Sequence, residues 1–96
     1  MKYPKEYLDE IKTRLKVSNV VSKSVNLKKR GKEFIGLSPF KTEKTPSFTV
    51  NDEKGFYHCF STSEHGNIFD FIMKTQNLKF GEAVKYLANL AGMQPY

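Results

Sequence analysis

Ninety-six residues suffice for one small domain with a limited core, so its stability is marginal unless something staples it. Apolar residues make up 39% and aromatics 14%, too many for a disordered tail, and no apolar run approaches membrane-spanning length. Sixteen lysines and arginines against ten acidic residues leave a formal charge of +6, which favours anionic partners, nucleic acid first, unless the lysines are merely solvated.

In chain order, Pro4 to Leu15 reads as a short helix. Pro4 suits a first helical turn, and Leu8, Ile11 and Leu15 share one face. The charged start, MKYPKEYLDEIK, lacks the apolar stretch of a secretory signal. Val17 to Val21 is either a second short helix or the start of a strand. The segment VNLKKRGKEFIGL reads as a hairpin in which Val25 and Leu27 alternate inward, Arg30-Gly31-Lys32 turns, and Phe34 to Leu37 returns. SPFKTEKTP is a loop holding two of the four prolines, SFTV a third strand, NDEKG a turn and FYHCF a fourth strand, with His65 in the turn that follows. Side chains alternate between the faces of a strand, so one face packs and the other meets solvent or a ligand. Asn67 is the expected N-cap of a helix carrying Ile68, Phe69, Ile72 and Met73 on one face. Phe80, Ala83, Val84, Leu87 and Ala91 mark the core face of a last helix that Gly92 ends. Helix, small antiparallel sheet and two further helices make an α+β fold, one domain over residues 1–96.

Cys59 is the only cysteine, so no intrachain disulfide and no Cys-x-x-Cys pair exist, which points weakly to a cytosolic chain. It reads as a buried small hydrophobe before a reactive thiol, with Lys41 as a candidate for lowering its pKa. No clustered carboxylates, no Ser/His/Asp set and no phosphate-cradling Gly-rich loop are present, so these residues alone are not expected to be catalytic. What they offer is a surface for single-stranded DNA, which basic side chains and aromatic faces hold together. Lys28, Lys29, Arg30 and Lys32 cluster on the first hairpin, Lys44 sits in the loop, Lys54 sits in the turn, and Tyr57 or Phe60 presents a ring. Equally, lysines on a sheet edge block unwanted strand pairing, and Phe48 and Phe60 are expected in the core.

The segment LSPFKTEKTPSFTVNDEKGFYHCFSTSEHGNIFDFIM, Leu37 to Met73, resembles the CHC2-type zinc-ribbon domain at the start of bacterial replicative primases. That family's pattern is Cys-Pro-Phe-His-x-Glu-Lys-Thr-Pro-Ser-Phe, a turn, then Tyr-His-Cys-Phe-x-Cys-x-x-x-Gly-[Asp/Asn] and a helix. Pro39, Phe40 and Glu43 to Phe48 match its first half; Tyr57 to Phe60, Gly66 and Asn67 match its second. The opening helix, the Leu27 to Gly31 hairpin and the Phe80 to Ala88 helix extend the likeness over nearly the whole chain. By resemblance the four metal ligands fall at Ser38, Lys41, Cys59 and Thr62, and only Cys59 keeps a ligand side chain. The zinc is therefore expected to be lost, because serine and threonine hydroxyls are poor zinc donors and a protonated lysine repels the ion. His58 does not replace them, since it neighbours Cys59 on a strand and points to the other face. Ser38, Lys41, Cys59 and Thr62 are expected to converge still, with Phe34, Phe40, Phe48, Phe56 and Phe60 supplying packing in place of the metal.

The resemblance implies a template-binding module of a DNA primase that makes RNA primers for replication, with the role carried by Lys28, Lys29, Arg30, Lys32, Lys44, Lys54 and Tyr57. It implies a separate polymerase core that uses magnesium, contact with the replicative helicase through the parent's far end, no membrane partner, and a cytoplasmic place at the nucleoid and its replisome. The ending LAGMQPY looks like a cut at a domain boundary. The alternative is a metal-free protein-interaction module docking onto the polymerase core or the replisome.

Overall fold

A computed structural model of the chain describes residues 3–96; Met1 and Lys2 lie outside them. Helix α1 spans Lys5–Arg14, with Pro4 as its extended N-cap, and buries Ile11. The open choice at residues 17–21 falls to a helix, α2 (Val17–Val21), whose three valines are buried. Its start is tied to the sheet from a distance: the Asp52 carboxylate accepts the Ser18 N–H (2.8 Å) and the Ser18 hydroxyl, which satisfies an otherwise orphaned donor of the first turn.

Five antiparallel strands follow in the order of the chain: β1 (Lys28–Arg30), β2 (Glu33–Gly36), β3 (Phe48–Asn51), β4 (Phe56–Cys59) and β5 (His65–Gly66). Val25 is buried as expected, but it precedes the first strand, which begins at Lys28. The hairpin turns at Gly31, whose φ of 63° lies in the left-handed region that glycine enters without steric cost. The two-residue β5 is a correction: His65 pairs with His58 and is not in a turn. A two-residue strand is too short to show alternation, so pattern reading had nothing to find there.

Helix α3 (Ile68–Gln76) opens on the expected Asn67. Its side chain accepts the N–H groups of Phe69 (2.9 Å) and Asp70 (3.1 Å), while Asp70 accepts the Asn67 N–H (2.9 Å), a reciprocal capping box. Gly66 is required beside it, because a Cβ there would stand 2.5 Å from the Asp70 Cβ. Helix α4 (Phe80–Leu90) begins with the Lys79 N–H on Glu82 (2.9 Å), and Gly92 follows its end with φ 73°. Ala83, Val84 and Leu87 are buried as the spacing predicts; Phe80, at the exposed start, is not.

The core lies between one face of the sheet and the helices. Phe48, Tyr57 and Phe71 are fully buried, with ring centroids 5.4–6.0 Å apart, and the half-buried Phe40 packs 6.0–6.4 Å from all three. Such offset and edge-on aromatic pairs add attraction beyond the area they bury. The five phenylalanines expected to replace the metal therefore divide. Phe48, Phe40 and Phe34 pack into or against the core, whereas Phe56 and Phe60 stand exposed on the other face. No helix among the described residues is long and apolar enough to cross a membrane.

Candidate nucleic-acid interface and metal position

Cross-strand partners share a face, so the register sorts every candidate side chain. One row runs Lys28, Ile35, Thr49, His58, His65 across all five strands. Beside it, on the same face, Arg30 opposes Glu33, and Asn51 opposes Phe56 and donates from Nδ2 to Glu33 (3.1 Å). The other face carries Lys29, Phe34, Val50, Tyr57 and Gly66 in one row and Gly36, Phe48 and Cys59 in the next. The helices cover that second face; the first is open.

On the open face Phe60 is 68% exposed and its ring lies 4.3 Å from that of His58, which in turn lies nearly parallel to His65 at 6.1 Å. Phe56, Phe60, Thr49 and Lys54 line a cleft of about 220 Å³. The open face is thus aromatic along β4 and β5 and basic along β1, where Lys28 and Arg30 are exposed.

Lys32 in the hairpin turn, Lys44 in the loop and Lys54 in the β3–β4 turn are exposed at the margins of the sheet. Tyr57 is a correction, and Lys29, though exposed, faces away from its neighbours. Lys29 alternates away from Lys28 and Arg30, and its ammonium sits over the Phe34 ring, 5.2 Å from the centroid, a cation–π contact. Tyr57 is fully buried, so it offers no ring to a ligand. Burial first, then the negative charges of Asp70 and Glu64, push its phenol well above the ordinary range, and the hydroxyl has no hydrogen-bond partner among the described residues. Phe60, expected in the core, stands exposed on the open face instead. The signal was available: Cys59 facing inward places Tyr57 inward and Phe56, His58 and Phe60 outward.

Three of the four expected metal positions come together. Cys59 is fully buried, and its Sγ shares a hydrogen bond of 3.2 Å with Ser38 Oγ. Ser61 Oγ lies 3.3 Å from the same sulfur, and Thr62 stands beside it with its hydroxyl donating to Glu64 (3.3 Å). Burial pushes the thiol up, but the hydroxyls of Ser38, Ser61 and Thr62 outweigh it and bring the pKa down to about 6. That lowering owes nothing to Lys41, which is exposed on the loop and does not join the other three. The donors do not fit zinc: one sulfur and neutral hydroxyls do not make a set of four thiolates or imidazoles. Among the described residues no group of three or more His, Cys, Asp or Glu side chains is placed to hold a metal.

Beside this cluster Glu43 organises the loop. Its carboxylate accepts the Ser38 N–H (2.9 Å) and lies 2.8 Å from Ser47 Oγ. These two donors, the Ser38 N–H foremost, hold its pKa below the usual carboxylate value.

The CHC2 zinc-finger family model matches residues 3–95. The DNA primase of Haemophilus influenzae is 43% identical over 94 residues, 97% of this chain and 16% of that protein. DNA primases of Pseudomonas putida and Escherichia coli K12 are 46% and 43% identical over 91 residues each. A crystal structure of the zinc-binding and RNA polymerase domains of Aquifex aeolicus primase superposes with a TM-score of 0.85 and 28% identity, covering 92% of this chain and 22% of that one. The chain therefore spans about one-sixth of the length of the curated relatives it matches.

Proposed function

Because this chain belongs to the CHC2 zinc-finger family, we propose that it is the template-binding module of a bacterial DNA primase, and that it takes a single DNA strand on the open face of its sheet without a zinc ion. The carrying observation is the exposed Phe60 ring against His58 on the face whose far edge bears Lys28 and Arg30. Aromatic faces stack on any base, and basic side chains track phosphates. Three inter-strand spacings separate β1 from β4, about 14 Å, so the two edges serve different nucleotides of one strand. Lys54 extends the basic rim beside Phe56, and Lys32 and Lys44 add charge at the margin.

The parent protein, on this reading, lays down RNA primers for replication. The polymerising chemistry belongs to a separate core that uses magnesium and lies beyond these residues. That protein would work in the cytoplasm, at the nucleoid, with a replicative helicase as a further partner.

Fluorescence anisotropy of a short labelled single strand tests the binding. With three to four phosphates neutralised, the logarithm of affinity falls with the logarithm of salt at a slope of about −2 to −3. Phe60→Ala weakens binding by about 1–3 kcal/mol, the worth of one base–aromatic stack. Tyr57→Phe leaves binding unchanged and does not destabilise, since it removes an unpartnered buried hydroxyl. A flat salt response together with an unaffected Phe60→Ala contradicts the reading.

That outcome would favour the second reading, docking onto a protein such as the polymerase core. One observation speaks for it: Tyr3, Tyr7, Phe80 and Tyr96 cluster beside α1 and α4, ring centroids 5.2–6.2 Å apart, with Phe80 and Tyr96 exposed. Exposed aromatics of this kind are enriched at protein interfaces.

A further inference from the structure

The metal-free reading leaves a physical gap. In the family's pattern a zinc ion ties the loop after β2 to the turn between β4 and β5; a small sheet whose loops lose that tie opens easily. The two segments nevertheless meet. Ser38 and Glu43 belong to the first, Cys59 and Ser61 to the second, and Ser47 leads into β3 between them. The contacts form an unbroken series. Ser38 Oγ lies 3.2 Å from Cys59 Sγ, the sulfur 3.3 Å from Ser61 Oγ, Ser61 Oγ 3.0 Å from Ser47 Oγ, and Ser47 Oγ 2.8 Å from the Glu43 carboxylate. Glu43 closes the ring by accepting the Ser38 N–H at 2.9 Å, and Ser38 Oγ also accepts the Phe40 N–H at 3.0 Å. Two members are informative by position. Ser38 stands where the pattern has a metal-binding cysteine, and Ser61 stands where the pattern leaves the residue free. Both carry a hydroxyl that reaches the one remaining sulfur.

We propose that this closed ring, Ser38–Cys59–Ser61–Ser47–Glu43, is the structural replacement for the metal, fastening the two loops through side-chain hydrogen bonds. The inference rests on the metal-free reading above. It also explains why Cys59 persists alone. The thiol donates to Ser38 Oγ, and its sulfur, larger than a hydroxyl oxygen, also lies within reach of Ser61 Oγ, so Cys59 joins the two across a gap that a serine would span poorly. Lys41 stays outside the ring, exposed, where its charge does not enter the buried cluster.

The test measures amide hydrogen exchange and thermal melting of the 96-residue chain, with and without chelator, for the wild type, Ser61→Ala and Glu43→Gln. Ser61 is exposed and Glu43 half-buried, so both variants are expected to fold. The ring predicts that each variant lowers the melting temperature and speeds exchange of the Ser38 and Phe40 amides about two- to tenfold, the factor of one net hydrogen bond. The amides of Val50 and Tyr57 in the central strands should exchange as in the wild type. Unchanged exchange at Ser38 and Phe40 in both variants, with a wild type indifferent to chelator, overturns the ring and leaves the metal-free reading standing. A wild type that melts lower in chelator overturns the metal-free reading, and the ring with it.

Discussion

Substituting Ser38→Cys, Lys41→His and Thr62→Cys together should turn the domain into a zinc protein that binds one ion per chain. The backbone around these positions keeps the family's pattern, and Ser38, Cys59 and Thr62 already converge. What is missing is the donor chemistry at these three and a fourth ligand, which a histidine at Lys41 has to bring in from the exposed loop. Three thiolates and one imidazole form a closed tetrahedral set, and structural zinc in small fingers contributes on the order of 10 kcal/mol. That far exceeds the roughly 1 kcal/mol of each hydrogen bond the substitutions remove. The zinc form should melt well above the wild type, and chelator should bring it below the wild type, because the apo variant has neither ion nor ring. Isothermal titration with zinc and melting in chelator give the answer. A triple variant that takes up no zinc would show that the loops do not stand at ligating positions.

Phe48→Ala should abolish cooperative folding at 37 °C. Phe48 is fully buried between Phe40, Tyr57 and Phe71, and its loss leaves a cavity in the centre of a small core. Such truncations cost about 3–5 kcal/mol, a large part of the 5–15 kcal/mol typical of a whole domain. Phe60→Ala, on the open face, should change stability by no more than about 0.5 kcal/mol. Circular-dichroism melts of the two variants separate a packing residue from a surface ring. A Phe48→Ala domain that melts like the wild type would mean the aromatic cluster does not carry the sheet.

The first helix and the last two were legible because apolar spacing and end signals agree, with Asn67 and Gly92 bracketing the C-terminal pair where the pattern puts them, whereas Val17 to Val21 is too short for its spacing to choose helix over strand. The α+β class and the chain order of the first four strands followed from turn residues and alternation. The strand β5 was not legible, being held by pairing with β4 and not by its own sequence. The candidate lysines were picked by charge, but charge does not reveal a face. Register does, and it separates Lys29 from its neighbours Lys28 and Arg30. Tyr57 and Phe60 were exchanged for the same reason. Both are aromatic and near Cys59 in sequence, and strand alternation alone decides which of them water meets. The ring of hydroxyls around Cys59 is a tertiary feature. Ser47 and Ser61 are fourteen residues apart in the chain, and nothing in composition or spacing pairs them.

Whether this domain folds without an ion decides between hydrogen-bonded loops and a metal tie. Elemental analysis of the purified, untagged chain, with its melting curve recorded in chelator, addresses that directly. The hydrogen-bonded loops predict no stoichiometric zinc and superimposable melts. One tightly held equivalent of zinc, with a melting temperature that falls when it is stripped, would contradict them.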